Sequence, residues 1–104
     1  MSQRDRLDDN QVDAWLGTRP LWRRREGHLV RDVRTRDYPG AARIVAAQVA
    51  IAEGLNHHPL ITLGYNTVTV ELWTHDRDGV TGLDLNYAQA LDELLEGDLA
   101  DFVI

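Results

Sequence analysis

Apolar residues recur along this chain with two periods, one helical and one of two residues, and each predicts its own elements. Val12, Trp15 and Leu16 share a face over 8–16, where Asp8 or Asp9 would cap a short helix and Gly17 with Pro20 would stop it. Residues 21–26 and 28–36 read as two strands around Gly27, carried by Leu29, Val30 and Val33. Tyr38-Pro39-Gly40 opens the longest helix, 39–54, with Pro39 suited to a first turn. Its apolar positions cover nearly the whole circumference, interrupted by Arg43, Gln48 and Glu53, so burial on more than one side is expected. Pro59 drives His58 out of the helical region and ends that helix.

A second pair of strands follows at 60–65 and 67–75. Val68, Val70 and Leu72 alternate with Thr67, Thr69, Glu71 and Trp73, a period of two with one buried face. A regular strand puts His75 on the face of Trp73, opposite the valines. After a loop at 76–79, Thr81 caps a last helix with Asp84 three residues on. Leu83, Tyr87, Ala88, Leu91, Leu94 and Leu95 form its stripe, ending near Gly97. The order α-β-β-α-β-β-α predicts an α+β fold, an antiparallel sheet covered on one face by helices. The apolar end, Phe102-Val103-Ile104, is expected to dock, with a neighbouring subunit as one candidate surface.

Composition narrows the chemistry. The 104 residues suit a single domain, 1–104, with 43% hydrophobic and 27% charged residues. No apolar run approaches a membrane span, and residues 1–10 are too polar for a signal peptide, so a cytoplasmic protein is expected. The absence of cysteine excludes disulfides, thiolate metal sites and thiol nucleophiles. Without lysine, Schiff-base chemistry is excluded too. Seven arginines fall between Arg19 and Arg36, with only Glu26 and Asp32 close in sequence to offset them. The net charge of −6 and the lack of interleaved aromatics favour a solvated hairpin face, and no nucleic-acid partner is expected.

Histidine is the side chain suited to proton exchange near neutrality. His57, His58 and His75 lie where elements end, whereas His28, in the first hairpin, reads as solvated. Glu53 precedes His57 by four residues, a spacing that would let its carboxylate hold the ring on a continuous helix. Asp84 is a second acid able to do the same. Adjacent histidines rarely aim both rings at one ion, so no metal is expected. Ser2 is the only serine, no threonine has a base at a suggestive spacing, and no phosphate loop is present. What remains is an acid–base site suited to dehydration, hydration or isomerisation.

The spacing then becomes specific. Glu53, three residues, His57-His58-Pro59, five residues, Tyr65, nine residues, His75, eight residues and Asp84 resemble the signature of the pterin-4a-carbinolamine dehydratases. Asn56 before the histidines, Tyr65-Asn66, Thr74-His75-Asp76 and Gly79-Val80-Thr81 match in order. The resemblance implies a four-stranded antiparallel sheet and dimers or tetramers, here through helix 39–54 and the sheet edge. It implies dehydration of a 4a-hydroxytetrahydropterin to the quinonoid dihydropterin, in recycling of the tetrahydropterin cofactor, with the pterin as substrate and no cofactor. His57 and His75 would be the principal proton-transfer pair. His58 would hold the pterin and share the acid role. Glu53 would orient His57 or touch substrate, Asp84 would orient a pocket histidine, and Pro59, Trp73 and Thr74 would be substrate-binding or orienting. Leu60-Ile61 and Trp73 depart from the aromatic and small polar residues found there in other members, which would reshape the pocket. The alternative is a binding role on the same fold, as transcription cofactor or assembly factor.

Overall fold

The computed structural model describes residues 2–104. Helix α1 spans Asp9–Thr18, strands β1 and β2 span Trp22–Arg25 and His28–Arg34, and helix α2 spans Tyr38–Leu55. Strands β3 and β4 follow at Leu60–Leu63 and Thr67–Leu72, and helix α3 at Gly82–Glu96. Short 3-10 turns occupy His75–Arg77 and Ala100–Phe102. All strand pairs are antiparallel, in the order β1-β2-β4-β3. The expected order of elements and the helix-covered antiparallel sheet are both present.

Local chemistry explains the boundaries. Asp8 caps α1 in a reciprocal box with Gln11, but the helix runs through Gly17 to Thr18 rather than stopping before it. Glu26 and Gly27 both have positive φ, 52° and 79°, the pair a tight two-residue hairpin requires between Arg25 and His28. Asp37 caps α2 through the Gly40 amide. Asn56 then adopts the left-handed conformation and closes the helix. The strands are shorter than the sequence suggests: β2 stops at Arg34 and β4 at Leu72.

The core lies between the inner sheet face and the helices. Leu29, Val33, Val68, Val70 and Leu72 are fully or almost fully buried against Ile44, Tyr87, Ala88 and Leu91. Gln48, expected to interrupt the apolar surface of α2, is instead fully buried. It accepts the Tyr87 hydroxyl at 2.8 Å and donates to the Ile44 carbonyl, so both ends of its amide are used. Burial of Tyr87 pushes its phenol well above the usual range.

A second polar group sits under β1. Asp92 of α3, 3% exposed, accepts the Trp22 indole N–H at 2.9 Å and pairs with buried Arg31, while Arg19 approaches at 3.5 Å. The arginines are more completely neutralised than their sequence neighbours suggest. Arg24 pairs with Asp9 and Asp13, Arg23 with Asp32, and Arg25 with Glu71. The acids come from other elements, and Arg31 is a core residue rather than part of a solvated face.

The C-terminal segment docks on its own chain. Val103 bridges Thr35, the Ile104 amide donates to the Arg34 carbonyl, and Phe102 packs beside Gly40 under Arg43. The second side of α2 is open in the single chain, with Val49 62% exposed and Ala46 and Ala50 exposed beside it. Among the described residues no helix is long and apolar enough to cross a membrane.

Candidate functional site

The end of α2 decides how the histidines point. The i to i+4 argument that pairs Glu53 with His57 needs a helix through both residues. The left-handed Asn56 breaks that continuity, and His57 turns inward to 7% exposure. Its partner is therefore Asp84, not Glu53, with Nε2 at 2.5 Å from Oδ1. Glu53 meets His58 instead, Oε2 to Nε2 at 2.6 Å, and both side chains are exposed. His58 and Pro59 edge a groove of about 320 Å³ between α2 and β3, floored by Val45, Ala52 and Ile61.

Asp84 is fully buried and fully used. As the third residue of α3 it completes a capping box, its Oδ2 accepting the Thr81 amide at 2.9 Å. The same oxygen accepts the Thr74 hydroxyl at 2.9 Å. Since that hydroxyl's only proton is spent there, the Thr81 hydroxyl donates to Thr74 Oγ1 at 2.7 Å. Oδ1 remains for His57. A carboxylate only accepts, so His57 Nε2 carries the proton and Nδ1 is left as the acceptor.

Thr74 continues the inward parity of Val68, Val70 and Leu72, and its neighbours Trp73 and His75 lie outward. The Trp73 and His75 ring centroids are 4.4 Å apart. β4 ends at Leu72, yet the rings share a face as the alternation suggests. One carboxylate thus joins the two segments that hold the three histidines: His57-His58 on one side and Thr74-His75 on the other. Among the described residues no hydrogen bond joins His75 to either of the other two. Tyr65, part of the sequence signature, is 78% exposed.

His28 is not simply solvated. It lies one step beyond the Leu29–Leu72 pair, opposite Trp73, and the two rings stack at 4.1 Å and 5°. Its Nδ1 is 2.5 Å from Glu71 Oε2, while Arg25 reaches Oε1 at 3.0 Å. The His28 hydrogen bond is the largest influence on the Glu71 carboxyl; burial opposes it, and together with Arg25 it still holds the carboxyl below its ordinary value of 4.5. A lowered folded value means that ionised Glu71 stabilises the fold fully above 4.5, and progressively less as pH falls through the lowered value. Glu71→Gln is expected to be less stable than wild type at pH 7, by a margin that is smaller at about pH 4. Urea denaturation at the two pH values reads this. An equal gap at both would show that the carboxylate charge contributes nothing. The residues that sequence reasoning passed over, His28 and Glu71, become visible only with the β2–β4 register.

The described residues contain no cluster of three His, Asp or Glu side chains suited to a metal ion. The assembly joins a buried carboxylate, two threonine hydroxyls, an imidazole of fixed tautomer and two further histidines. The chain belongs to the pterin 4 alpha carbinolamine dehydratase family, whose model matches residues 5–94. The "Putative pterin-4-alpha-carbinolamine dehydratase" of Metallosphaera sedula is 40% identical over 89 residues, covering 86% of this chain and 93% of its own length. The protein of the same name from Nocardia farcinica is 36% identical over 88 residues, covering 85% of this chain and 93% of its own. A crystal structure described as a transcriptional coactivator/pterin dehydratase from Brucella melitensis superposes with a TM-score of 0.82 at 29% identity, over 86% of this chain and 98% of that one.

Proposed function

We propose that this chain dehydrates a 4a-hydroxytetrahydropterin to the quinonoid dihydropterin by histidine acid–base catalysis, with no redox partner and no metal. The observation that carries the reading is the buried Asp84 linking the His57-His58 and Thr74-His75 segments. In the reaction the N5–H proton leaves, its electron pair forms the N5=C4a bond, the C4a–O bond breaks, and the protonated hydroxyl departs as water. A base at N5 and an acid at the leaving oxygen satisfy that balance. His57 is suited to the base, because Asp84 supports the imidazolium that forms when Nδ1 takes a proton. His75 supplies the acid. His58, with Glu53, holds the pterin at the edge of the apolar groove and shares the acid role. Pro59, Trp73 and Thr74 line or orient the site.

The test generates the 4a-hydroxytetrahydropterin in situ and follows the quinonoid product. Wild type is expected to accelerate its appearance, and His75→Ala to lose on the order of 10²-fold or more. His75 is exposed, so the variant should fold. Folded wild type without acceleration over the spontaneous rate overturns the reading.

A second reading has its own observation. The Brucella structure's description names a coactivator as well as a dehydratase, and the open side of α2 leaves a surface for a partner. We assign that side, together with the β3 edge where Leu60 is 52% and Leu63 39% exposed, to contacts between copies of this chain. Light scattering should give two or four times the chain mass, and Val49→Asp should lower it. A wild-type monomer at micromolar concentration would remove that assignment.

A further inference from the structure

The outer sheet face carries a row of contacts that the reaction above does not use directly. His75 belongs to a three-residue 3-10 turn, is exposed, and makes no side-chain hydrogen bond among the described residues. Its neighbours Asp76 and Arg77 are engaged elsewhere, Asp76 with Arg4 and Arg77 with the Arg4 carbonyl. The aromatic contact that bounds its ring is the Trp73 indole, at 4.4 Å and 37°. An indole on an open sheet face would itself swing between rotamers unless held. Trp73 is held by His28, stacked at 4.1 Å with the planes 5° apart. His28 in turn is fixed by Glu71 at 2.5 Å, and Glu71 by Arg25 at 3.0 Å. Glu71 is only 15% exposed at its side chain, so this pair is more rigid than a surface ion pair.

We infer that Glu71, His28 and Trp73 act as a positioning relay that holds the His75 imidazole in its reactive orientation. The inference rests on the role given to His75 above. None of the three needs to touch the pterin: each limits the motion of the next, from a charge pair through a flat stack to the ring that moves the proton. A misplaced catalytic group loses rate far more than binding. The relay therefore acts on kcat and leaves KM nearly unchanged.

The experiment combines turnover with the proton resonances of the His75 ring, which the indole's ring current displaces. Trp73→Leu and His28→Ala are each expected to lower kcat on the order of tenfold with KM within about twofold, and to move the His75 resonances toward free imidazole. His28→Phe, which keeps a flat ring over the indole, should restore most of both, and Glu71→Ala, which removes the acceptor that fixes His28, should lower kcat several-fold and move the His75 resonances in the same direction. His75 resonances unchanged in Trp73→Leu and His28→Ala would overturn the relay, as would displaced resonances with kcat intact. A fall in both kcat and thermal stability that His28→Phe does not reverse would make the stack merely structural. Absence of wild-type turnover would instead remove the reading of the site, and with it the catalytic meaning of any resonance shift.

Discussion

Asp92→Ala is expected to cost about 3–5 kcal/mol of stability. The reason is not the loss of an attraction but what is left behind. Arg31 is 6% exposed, its Nε has no partner among the described residues, and Asp92 is the acid that pairs with its guanidinium. Removing the carboxylate strands a buried positive charge and orphans the Trp22 indole N–H. For a domain of this length the loss corresponds to a fall in Tm of roughly 15 °C or more. Asp92→Asn, which still accepts from Trp22 but carries no charge, should fall between the two. Replacing the pair together, Arg31→Met with Asp92→Leu, should recover much of the loss, because apolar side chains of similar volume need no compensation. Thermal and urea unfolding of the four proteins decides the matter. A single Asp92→Ala variant within about 1 kcal/mol of wild type would mean that water already solvates Arg31.

Asp84→Asn should leave the fold largely intact and remove most of the activity. Its amide oxygen can still accept the Thr81 amide and the Thr74 hydroxyl, so the α3 cap survives at a cost of about 1–3 kcal/mol. Its NH₂ then faces His57 Nε2, two donors against each other. The imidazole must reverse its tautomer or turn away, and it loses the negative charge behind the imidazolium. A drop in kcat of about 10²–10⁴-fold is expected, with nitrogen chemical shifts of His57 reporting the reversed tautomer. A reversed tautomer with kcat preserved would dismiss His57 as the base.

The sequence made the helices and hairpins legible because their signals are local. Capping residues, Pro39, Gly27 and the strict alternation of 67–73 each act within a few residues of themselves. It was less informative wherever two distant segments meet. Asp92 lies on the buried side of α3, among Ala88, Leu91 and Leu95, where a stripe read for apolar residues passes over it. A carboxylate in register with such a stripe is itself the signal, since burial demands a partner. His28 opposes Trp73 only because β2 pairs with β4, two strands not joined by a hairpin. Glu53 and His57 illustrate the converse error. Their spacing is helical, but Asn56 takes the chain out of the helix between them, and the acid goes to the next histidine along. The histidines and acids themselves were visible in sequence, and their pairing was not.

The cap of α3 has a consequence for redesign. A residue that only starts a helix can be exchanged for a stronger starter, and such exchanges are a routine way to raise a protein's heat resistance. Asp84 is closed to that route. A Glu, the acid usual at this place in a capping box, adds a methylene to a carboxylate already enclosed by Thr74, Thr81 and His57. The first turn of α3 is consequently a helix end where engineering for robustness and engineering for turnover must be carried out as a single problem.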